Sequence, residues 1–528
     1  MSKNLEQQLW ASADILRGKM DASEYKNYLL GLVFYKYLSD LQLRTVYQLE
    51  HGKNVDIPDR DAQFDTLKEW FDDDADELRA SLIVTPGYFI EPASLFYYFS
   101  KNANEFRLNH LSDAFTKLSQ QGEQFEGLFA DIDLGSTKLG STDQQRYVTI
   151  IEVIKALDEI DLFGYEGDVI GDAYEYLIAQ FAAGAGKKAG EFYTPQAVSK
   201  IISKIVSIGQ EATVPFHIYD PTMGSGSLML NIEDYVNDKR FVHYHGQELN
   251  TTTYNLARMN LILHNVAKNQ MRLSNGDTLD EDWPKDEPIQ FDGVVMNPPY
   301  SAKWSAADKF LSDSRFERFG KLAPKSKADF AFLLHGYYHL KDSGTMGIVL
   351  PHGVLFRGAA EGVIRKVLLE EGAIDAVIGL PANIFYGTSI PTTVLILKKN
   401  RPTRDVLFID ASGEFEKQKN QNILKDEHID KIVETYIKRE NVEKYAHVAS
   451  LEEIIENDYN LNIPRYVDTF EEEEPIDIVA LSAEMVALNE EIRQSEREFL
   501  AMLDELAVTD DTRDIIEATK RIFGELEG

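Results

Sequence analysis

The sequence predicts an α/β protein with an all-α N-terminal domain, a Rossmann-like sheet domain and a C-terminal helical extension. Three patterns support this prediction: apolar residues at helical spacing in the first part, β-branched runs alternating with helical stretches in the middle, and an acidic, heptad-like tail. The chain has 528 residues, of which 44% are hydrophobic and 27% charged, a composition typical of folded globular proteins. At roughly 100 to 200 residues per domain, we expect two to four domains.

Residues 1–155 are predicted to form the helical domain. Apolar side chains between residues 24 and 40 recur at helical spacing: Tyr25, Tyr28, Leu29, Leu32, Val33 and Tyr37. Helical patterns continue beyond this domain, until the segment Gly184–Gly190, which is rich in glycine and lysine as loops are. A domain boundary is therefore expected between residues 150 and 190.

Residues 156–467 are predicted to form the sheet domain. Short apolar runs alternate there with helical stretches, at residues 216–220, 241–248, 291–297, 345–351, 375–380 and 392–399. Buried parallel strands have this near-continuous apolar character, so we expect a mostly parallel sheet with helices on both faces. In such sheets the ligand lies at the carboxyl ends of the strands.

Residues 468–528 form the predicted helical extension, which holds 19 acidic and 5 basic residues. Its apolar residues alternate at spacings of three and four, broken once at Ser495: Ile478, Leu481, Met485, Leu488, Ile492, Phe499, Met502 and Leu506. This spacing is typical of a coiled-coil seam of about four heptads. An amphipathic helix packed on its own domain would show the same pattern, and both interpretations stay open.

Composition excludes several classes of protein. With no cysteine, the chain has no disulfide, thiolate metal site or cysteine nucleophile. A net charge of −34 opposes unaided wrapping of nucleic acid, so DNA binding would need a local basic patch or a basic partner. No apolar stretch reaches the roughly 18 residues that cross a bilayer, and no secretory signal is recognisable, so we expect a cytoplasmic location without membrane association.

The sequence predicts no metal site. His335 and His339 are four residues apart, but Gly336 stands where a zinc protease needs its catalytic glutamate, and a packing role is the simpler interpretation. The phosphate-binding pattern G-x-x-x-x-G-K-[ST] is also missing from the sequence, which excludes an ATP-driven motor.

A glycine-rich turn follows the predicted strand at residues 216–220. It supplies one acid and four small residues before a helical stretch: Asp220, Gly224, Ser225, Gly226 and Ser227. Glycines at such a turn let a ligand approach the backbone and bond to its free N–H groups. The signal is weak by itself, and the G-x-G-x-x-G spacing of dinucleotide-binding proteins is missing, which disfavours NAD.

Acidic residues follow the next two strands of this sheet. Glu248 comes 24 residues after Gly224, as expected for a carboxylate that accepts both hydroxyls of a ribose. Asp277 lies in an Asn-Gly-Asp sequence that is either a plain turn or an acceptor for an adenine amino group. With the glycine turn, these acids predict a nucleoside-containing cofactor.

The segment Asn297-Pro298-Pro299-Tyr300 follows the fourth strand. Two successive prolines make this turn rigid and remove two donors, so it presents acceptors and then an aromatic ring. The Asn297 side-chain oxygen and the Pro298 carbonyl can both accept from one planar amino group, on whose ring Tyr300 can stack. The arrangement suits methylation of an exocyclic amine.

An aromatic amine is a poor nucleophile because its lone pair is delocalised into the ring. Two acceptors on its hydrogens draw the nitrogen towards sp3 character, so positioning and electrostatics supply most of the catalysis. The four residues alone could be a structural turn. Their place after the glycine turn and the two acids, each at a strand end, favours a catalytic site.

With its turns in this order, the sequence resembles S-adenosylmethionine-dependent amino-methyltransferases of DNA, and more closely the modification subunit of type I restriction-modification systems. Residues 9–40, 190–198, 385–399 and 458–467 carry the second resemblance. It implies an S-adenosylmethionine-dependent N6-adenine methyltransferase in which Asn297 to Tyr300 hold a flipped adenine. It also implies that the cofactor pocket is lined, besides the glycine turn and Glu248, by Glu191, Phe192, Tyr193, Thr194, Pro195 and Gln196.

The resemblance implies partners as well. Modification subunits do not read DNA sequence themselves; two of them pair with one specificity subunit, and restriction subunits complete the complex. An acidic chain can therefore act on double-stranded DNA, and we expect the acidic tail to contact helices of the specificity subunit.

A base inside a duplex is unreachable, so the target adenine must be flipped out. Basic residues after Tyr300 could contact the phosphates around it, although a solvated loop would carry the same charge: Lys303, Lys309, Arg315, Arg318, Lys321, Lys325 and Lys327.

Other functions stay open on the residues alone. Asn-Pro-Pro-Tyr turns also suit methylation of RNA, of a protein glutamine or of the cytosine amino group, and a non-catalytic scaffold of a DNA complex could retain the fold. The helical N-terminal domain and residues 458–467 favour DNA, and the family favours adenine. The intact acids and Asn297 disfavour a scaffold.

Overall fold

The structure, a computed structural model, describes residues 2–164, 169–184, 193–210, 214–385, 389–418, 421–469 and 477–524. The chain divides into two compact units, Met1–Asp468 and Thr469–Gly528. Within the described ranges, no helix combines the length and the apolar character needed to span a membrane.

Eight α-helices form the N-terminal helical core in the part of the chain that the structure describes. They are α1 (Ser2–Ser12), α2 (Asp14–Arg17), α3 (Ala22–His51), α4 (Arg60–Val84), α5 (Phe96–Lys101), α6 (Leu108–Ser119), α7 (Asp143–Asp158) and α8 (Val169–Gly184). Their apolar faces meet in one core, and the stripe predicted between residues 24 and 40 is buried in it. Helix α8 packs in this core as well, although it comes after the predicted domain boundary at residue 155.

A nine-stranded sheet forms the second half of this unit. Its strands are β1 (Phe216–Asp220), β2 (Val242–Glu248), β3 (Met271–Asn275), β4 (Phe291–Met296), β5 (Leu340–Pro351), β6 (Ile374–Gly379), β7 (Thr392–Lys398), β8 (Val406–Asp410) and β11 (Ala446–Ala449), while β9 (Glu416–Lys417) and β10 (Asn422–Ile423) pair separately. The order across the sheet is β11-β8-β6-β7-β5-β4-β1-β2-β3. The strands from β5 through β4, β1 and β2 to β3 run parallel, whereas β7 is antiparallel to both of its neighbours.

Helices cover both faces of the sheet. They are α9 (Gln196–Val206), α10 (Ser227–Leu230), α11 (Thr251–Leu263), α12 (Asp329–Tyr338), α13 (Ala359–Glu370), α14 (Asp426–Lys438) and α15 (Leu451–Glu456). Side chains of α9 and α14 pack with one face in one hydrophobic cluster, and those of α12 and α13 pack with the other face in a second. Burial on both faces explains why the central strands are rich in apolar residues, whereas the edge strand β3 is half-buried and more polar.

The predicted fold class is confirmed, and each of the six strands predicted from the sequence is present. β5 begins five residues earlier than predicted. β3 was expected only as the strand before the turn at Asn275 to Asp277, without bounds, and β8 to β11 were not predicted. β7 departs from the parallel pattern because the described residues between β6 and β7 contain no helix, and a parallel return needs a longer crossover.

The second unit contains α16 (Ile478–Glu505) and α17 (Arg513–Gly524). Their pairing is antiparallel, since Phe499 packs edge to face on Phe523 and Asp504 forms an ion pair with Lys520. None of the residues of α16 is buried, so the heptad-like series predicted from the sequence lies on an exposed helix.

Candidate active site

The four turns predicted from the sequence meet at one edge of the sheet. β1 lies between β4 and β2, and β3 lies beyond β2. Because these strands are parallel, the residues that follow their carboxyl ends are neighbours. Asp220, Glu248, Asp277 and Asn297, far apart in the sequence, thus share a single edge.

Two carboxylates close the glycine turn after β1. Asp220 Oδ1 accepts a hydrogen bond from the backbone N–H of Thr222 at 2.9 Å, and Glu248 Oε2 accepts from that of Gly224 at 3.1 Å. Burial raises the pKa of Asp220 to about 8, opposed by the Thr222 N–H and assisted by the nearby Glu248. Asp220 is therefore mainly protonated at neutral pH.

The glycines of this turn have backbone conformations that favour glycine. Gly224 has a φ of 54° and Gly226 a φ of 81°. A Cβ atom on Gly226 would lie 2.8 Å from Leu261 of α11, closer than carbon atoms can pack. The backbone of the turn at Gly226 therefore lies close against α11.

Glu248 and Asp277 both bond to their own loops. Glu248 Oε1 accepts from the N–H of Asn250 at 2.8 Å, and burial raises the pKa of its carboxyl group. Asp277 Oδ1 accepts from the N–H of Leu279 at 2.9 Å and so closes the turn after β3. Both side chains line the cleft at this edge of the sheet.

The cleft has a volume of about 900 Å³ and two walls. The sheet edge supplies one wall, which includes Thr222, Glu248, Asp277, Asn297 and Pro299. The first turn of α3 and the residue before it supply part of the other, with Asp21, Ala22, Lys26 and Asn27. The helical core and the sheet therefore enclose this space together.

A much smaller cavity, of about 10 Å³, lies against the glycine turn and has room for about one water molecule. It is lined by Tyr193, Thr194, Asp220, Thr222, Met223, Gly224, Ser225, Ser227, Leu228 and Asn297. Residues from the segment before α9 thus face the glycine turn, and Asn297 borders both this cavity and the larger cleft.

Asn297 is held from two sides. Its side-chain nitrogen donates to Thr194 Oγ1 at 3.1 Å, and its Oδ1 accepts from the Tyr300 hydroxyl at 3.0 Å. Burial raises the pKa of Tyr300, which keeps the hydroxyl protonated as a donor. The Tyr300 ring packs edge to face on Phe385, with centroids 6.1 Å apart. These contacts orient the amide, because Thr194 accepts a hydrogen bond from its nitrogen and Tyr300 donates one to its oxygen.

A buried ion pair anchors the chain just after this turn. Ser301 has a φ of 53°, and its N–H donates to Asp329 Oδ1 at 2.8 Å. Asp329 is fully buried and also accepts from Arg357, which forms a two-pronged ion pair with Glu361 at 2.7 and 2.9 Å. The first turns of α12 and α13 thereby fix the exit of the Asn297–Tyr300 segment.

Several predicted site residues do not face the two cavities. Pro195 caps the start of α9, and the Gln196 side chain donates to Glu175 and lines a different cavity. Gly226, Pro298 and Tyr300 line neither cavity among the residues that the structure describes, although the Tyr300 hydroxyl contacts Asn297, which lines both. Glu191 and Phe192 lie outside the described residues.

The basic segment after Tyr300 is only partly available to phosphates. Arg315, one of its seven predicted contacts, is 2% exposed, so that prediction is wrong for this residue. Its guanidinium donates to Asp313 and to the backbone carbonyls of Thr278 and Leu279, each within 3.0 Å. A count of charges cannot separate such a buried arginine from exposed ones. Five of the others are exposed, and Lys327 is half-buried.

His335 and His339 belong to a buried polar network with Asp282. Their ligand atoms lie within 4.8 Å of one another, close enough to suit a metal ion. His335 already bonds to the Tyr219 hydroxyl at 2.9 Å and to Arg315 at 3.1 Å, and His339 bonds to Asp282 at 3.1 Å. The Arg315 cation beside the ring opposes a metal cation, so these contacts indicate a packing role.

Sequence reasoning missed two groups that border the site. The first turn of α3 had been assigned to a separate helical domain, with no signal that it would face the strand ends. Glu175 on α8 bonds to Ser227 and Gln196 from positions 52 and 21 residues away. Only the spatial arrangement of the helices reveals such long-range contacts.

The Rossmann-like sheet with these turns at its carboxyl edge defines the class of S-adenosylmethionine-dependent methyltransferases. Residues 165–475 match the N-6 DNA Methylase family, and residues 5–157 match the HsdM N-terminal domain. The chain therefore belongs to the N-6 DNA methylase family, among the methylase subunits of type I restriction-modification systems.

Relatives over nearly the whole chain agree with this membership. The type I restriction enzyme MpnII methylase subunit of Mycoplasma pneumoniae is 38% identical, over 90% of this chain and 92% of its own length. The MjaVII methylase subunit of Methanocaldococcus jannaschii is 31% identical, over 95% and 83%.

A crystal structure of the type I restriction-modification system methyltransferase subunit from Streptococcus thermophilus is 58% identical. It superposes with a TM-score of 0.87, over 89% of this chain and all of that one. The prediction of an N6-adenine DNA methyltransferase of a type I system is confirmed.

Proposed function

We propose that Asn297 to Tyr300 methylate the N6 amino group of an adenine flipped out of double-stranded DNA, with S-adenosylmethionine held by the glycine turn. The observation that carries this proposal is the position of Asn297. Asn297 borders the large cleft, which Glu248 and Asp277 also line, and it adjoins the glycine turn, so this amide lies between the residues proposed to hold the cofactor and the open space for a substrate.

The residues at the sheet edge fit S-adenosylmethionine. The glycine turn offers backbone N–H groups beside a small cavity. Glu248 offers a half-buried carboxylate for ribose hydroxyls, and Asp277 offers an acceptor for an adenine amino group in the same cleft. Tyr193 and Thr194 complete the cavity wall. When bound, S-adenosylmethionine supplies an electrophilic methyl group on a sulfonium.

The target amine would be held by acceptors of the rigid turn. Asn297 Oδ1 has two lone pairs and accepts one hydrogen bond from Tyr300, so a second position stays available to the amine. The Pro298 carbonyl supplies the second acceptor. Tyr300, supported by the edge of Phe385, supplies the stacking face for the flipped base. These residues position the nitrogen and raise its nucleophilicity without a strong general base.

We assign residues 1–155 to a helical domain, 156–467 to the catalytic domain and 468–528 to a subunit-contact extension. Two such chains are proposed to pair with one specificity subunit, and restriction subunits to join the full complex. The exposed apolar series on α16 supports contact with helices of the specificity subunit. Truncation at about residue 470 should therefore release that subunit; an intact complex would contradict the assignment.

Six basic residues of the segment after Tyr300 remain candidates for phosphate contact: Lys303, Lys309, Arg318, Lys321, Lys325 and Lys327. Charge reversal of the exposed lysines should weaken DNA binding uniformly across sequences and reduce its salt dependence. A protein that methylates cellular DNA must be in the same compartment as that DNA. We therefore propose a cytoplasmic location.

The test is transfer of labelled methyl from S-adenosylmethionine to DNA, with and without the co-encoded specificity subunit, followed by nucleoside analysis. Labelled N6-methyladenine that appears only with the partner is expected. Label on cytosine, RNA or a protein glutamine would replace the proposed target, and no transfer despite cofactor binding would favour a scaffold.

A further inference from the structure

Helix α8 carries a buried carboxylate, Glu175, that the proposed chemistry does not use. The residue is 7% exposed, and its side chain accepts three hydrogen bonds. Ser227 Oγ donates to it at 2.7 Å, Gln196 Nε2 donates at 3.0 Å, and the Asn260 amide nitrogen donates as well. Burial raises the pKa of Glu175, and the hydrogen bonds from Asn260 and Ser227 oppose the shift.

The three donors come from separate elements that meet at the glycine turn. Ser227 ends the glycine turn, Gln196 begins α9 just after the cavity wall, and Asn260 lies on α11. The Asn260 nitrogen also donates to the backbone carbonyl of Ser225 at 3.0 Å. The Ser225 and Ser227 hydroxyls lie 2.7 Å apart. Since the Ser227 hydroxyl donates its hydrogen to Glu175, it accepts the hydrogen bond from Ser225.

Glu175 itself does not line the cavity that faces the glycine turn, nor the large cleft. It reaches the turn from behind, from a helix whose apolar residues, among them Tyr174, Leu177 and Ile178, are buried in the N-terminal helical core. Helix α8, which belongs to the N-terminal helical core, thus holds the glycine turn of the sheet.

We propose that Glu175 is a positioning residue for cofactor binding, through which α8 of the helical core fixes the glycine turn and the start of α9. This inference rests on the proposed cofactor site. A fixed turn aims its N–H groups before the ligand arrives, so less order is lost on binding and affinity rises. Without the carboxylate, the buried donors of Ser227 and Asn260 and the half-buried donor of Gln196 lose this acceptor, and the turn can relax away from its binding shape.

The experiment measures the Kd of the full-length chain for S-adenosylmethionine by calorimetry, together with the thermal unfolding midpoint of the free chain. Glu175→Ala is expected to raise Kd at least about tenfold, the loss typical of hydrogen bonds to a charged group. Glu152→Ala, at an exposed glutamate of α7, is the matched control and should leave Kd unchanged.

Glu175→Gln separates hydrogen bonding from charge. Its oxygen can still accept from Ser227, and the Gln196 amide can turn by half a rotation to accept from the new NH2 group, so Kd should stay within about threefold. If Glu175→Ala does not fold, Asn260→Ala tests the same link from α11 and should also raise Kd.

The outcomes are distinct. If the unmodified chain binds S-adenosylmethionine and folded Glu175→Ala binds it equally well, the positioning role is overturned. A Gln variant as weak as the Ala variant would overturn hydrogen bonding as the cause. A lower unfolding midpoint without a change in Kd would leave Glu175 a stabilising residue only, against the proposal. Failure of the unmodified chain to bind would instead refute the cofactor site itself.

Discussion

The Tyr300 hydroxyl donates to the side-chain oxygen of Asn297 at 3.0 Å, and the two prolines of the turn lie between these residues. The ring that we expect to stack on the target base thus also holds the amide that we expect to bind its amino group. The two functions of the turn are coupled through one hydrogen bond, and substitution can separate them.

Tyr300→Phe keeps the ring and removes the hydroxyl, so kcat/KM for methyl transfer should fall by about tenfold or less, as for one neutral hydrogen bond. Tyr300→Ala also removes the stacking face, which is worth about 1–3 kcal/mol per base, and should cost clearly more. Steady-state kinetics with the specificity subunit measures both. Equal losses for Phe and Ala would mean that the ring does not stack on the base.

Asn297→Ala should lower methyl transfer by about 10²–10³-fold, the usual effect of removing one preorganised polar group from a transition state. Binding of S-adenosylmethionine should persist, because the glycine turn and Glu248 are untouched. Single-turnover transfer and equilibrium cofactor binding give the two values. The control is Asn104→Ala, which removes an exposed amide that lines neither cavity. Normal transfer by Asn297→Ala would refute the catalytic assignment.

Gly224→Val should abolish cofactor binding, because it places a branched side chain beside the cavity that the turn lines. Gly224 also has a φ of 54°, which strains any residue with a Cβ. Gly209→Val separates the two effects, since Gly209 has a φ of 83° but open space around its Cβ position. We expect Gly209→Val to lose some stability and to bind S-adenosylmethionine normally; equal binding by both variants would argue against the site.

Asp329→Ala should lower the free energy of unfolding by about 3 kcal/mol, as when one partner of a buried ion pair is removed. The change leaves the Ser301 N–H without its acceptor and removes one of the two carboxylates that neutralise Arg357. Urea denaturation followed by fluorescence measures the loss. Asp308→Ala, at an exposed carboxylate, should change stability by less than about 0.5 kcal/mol.

Stability should fall in mild acid because of His245. Burial and then the neighbouring His217 lower its pKa to about 3, whereas an unfolded histidine has a pKa of about 6.5. Below pH 6.5 the unfolded chain binds a proton that the folded chain does not, so unfolding becomes easier as pH falls. The contribution between pH 7.5 and 5.5 is about 1.4 kcal/mol.

Urea denaturation of the parent and of His245→Gln across this range isolates that contribution, because other titrating groups are common to both. The variant should show the flatter pH dependence. His51→Gln, at an exposed histidine, should keep the parental slope. Parallel curves for the parent and His245→Gln would show that His245 titrates alike in both states.

Local turn chemistry made the sheet edge predictable. Glycines, acids and the Pro-Pro pair each follow an apolar run directly, and parallel topology brings strand ends together without further information. The family resemblance added Thr194, whose contact with Asn297 spans 103 residues and has no local signal. Antiparallel β7 and strand β8 were harder, because an apolar run shows neither its direction nor its neighbours.

Side-chain environment was the least predictable level. Arg315 counts as a positive charge in the sequence, yet in the fold its guanidinium is a buried donor for backbone carbonyls of the loop after β3. Glu175 looks like any acid on a helix, and its three donors come from residues 21, 52 and 85 positions away. Burial of a charged group depends on which helices meet, and spacing along one helix does not contain that information.

Helix α8 has its apolar side in the helical core and its carboxylate on the cofactor turn, and this has a consequence for the exchange of parts between related genes. A recombination joint between residues 184 and 193 would bring Glu175 from one parent and Ser227 and Asn260 from the other. In such hybrids the hydrogen bonds of Glu175 to Ser227 and Asn260 would be lost whenever the parents differ at these positions. A joint before residue 169 instead keeps the polar partners of α8 together, and exposes only its apolar packing to mismatch.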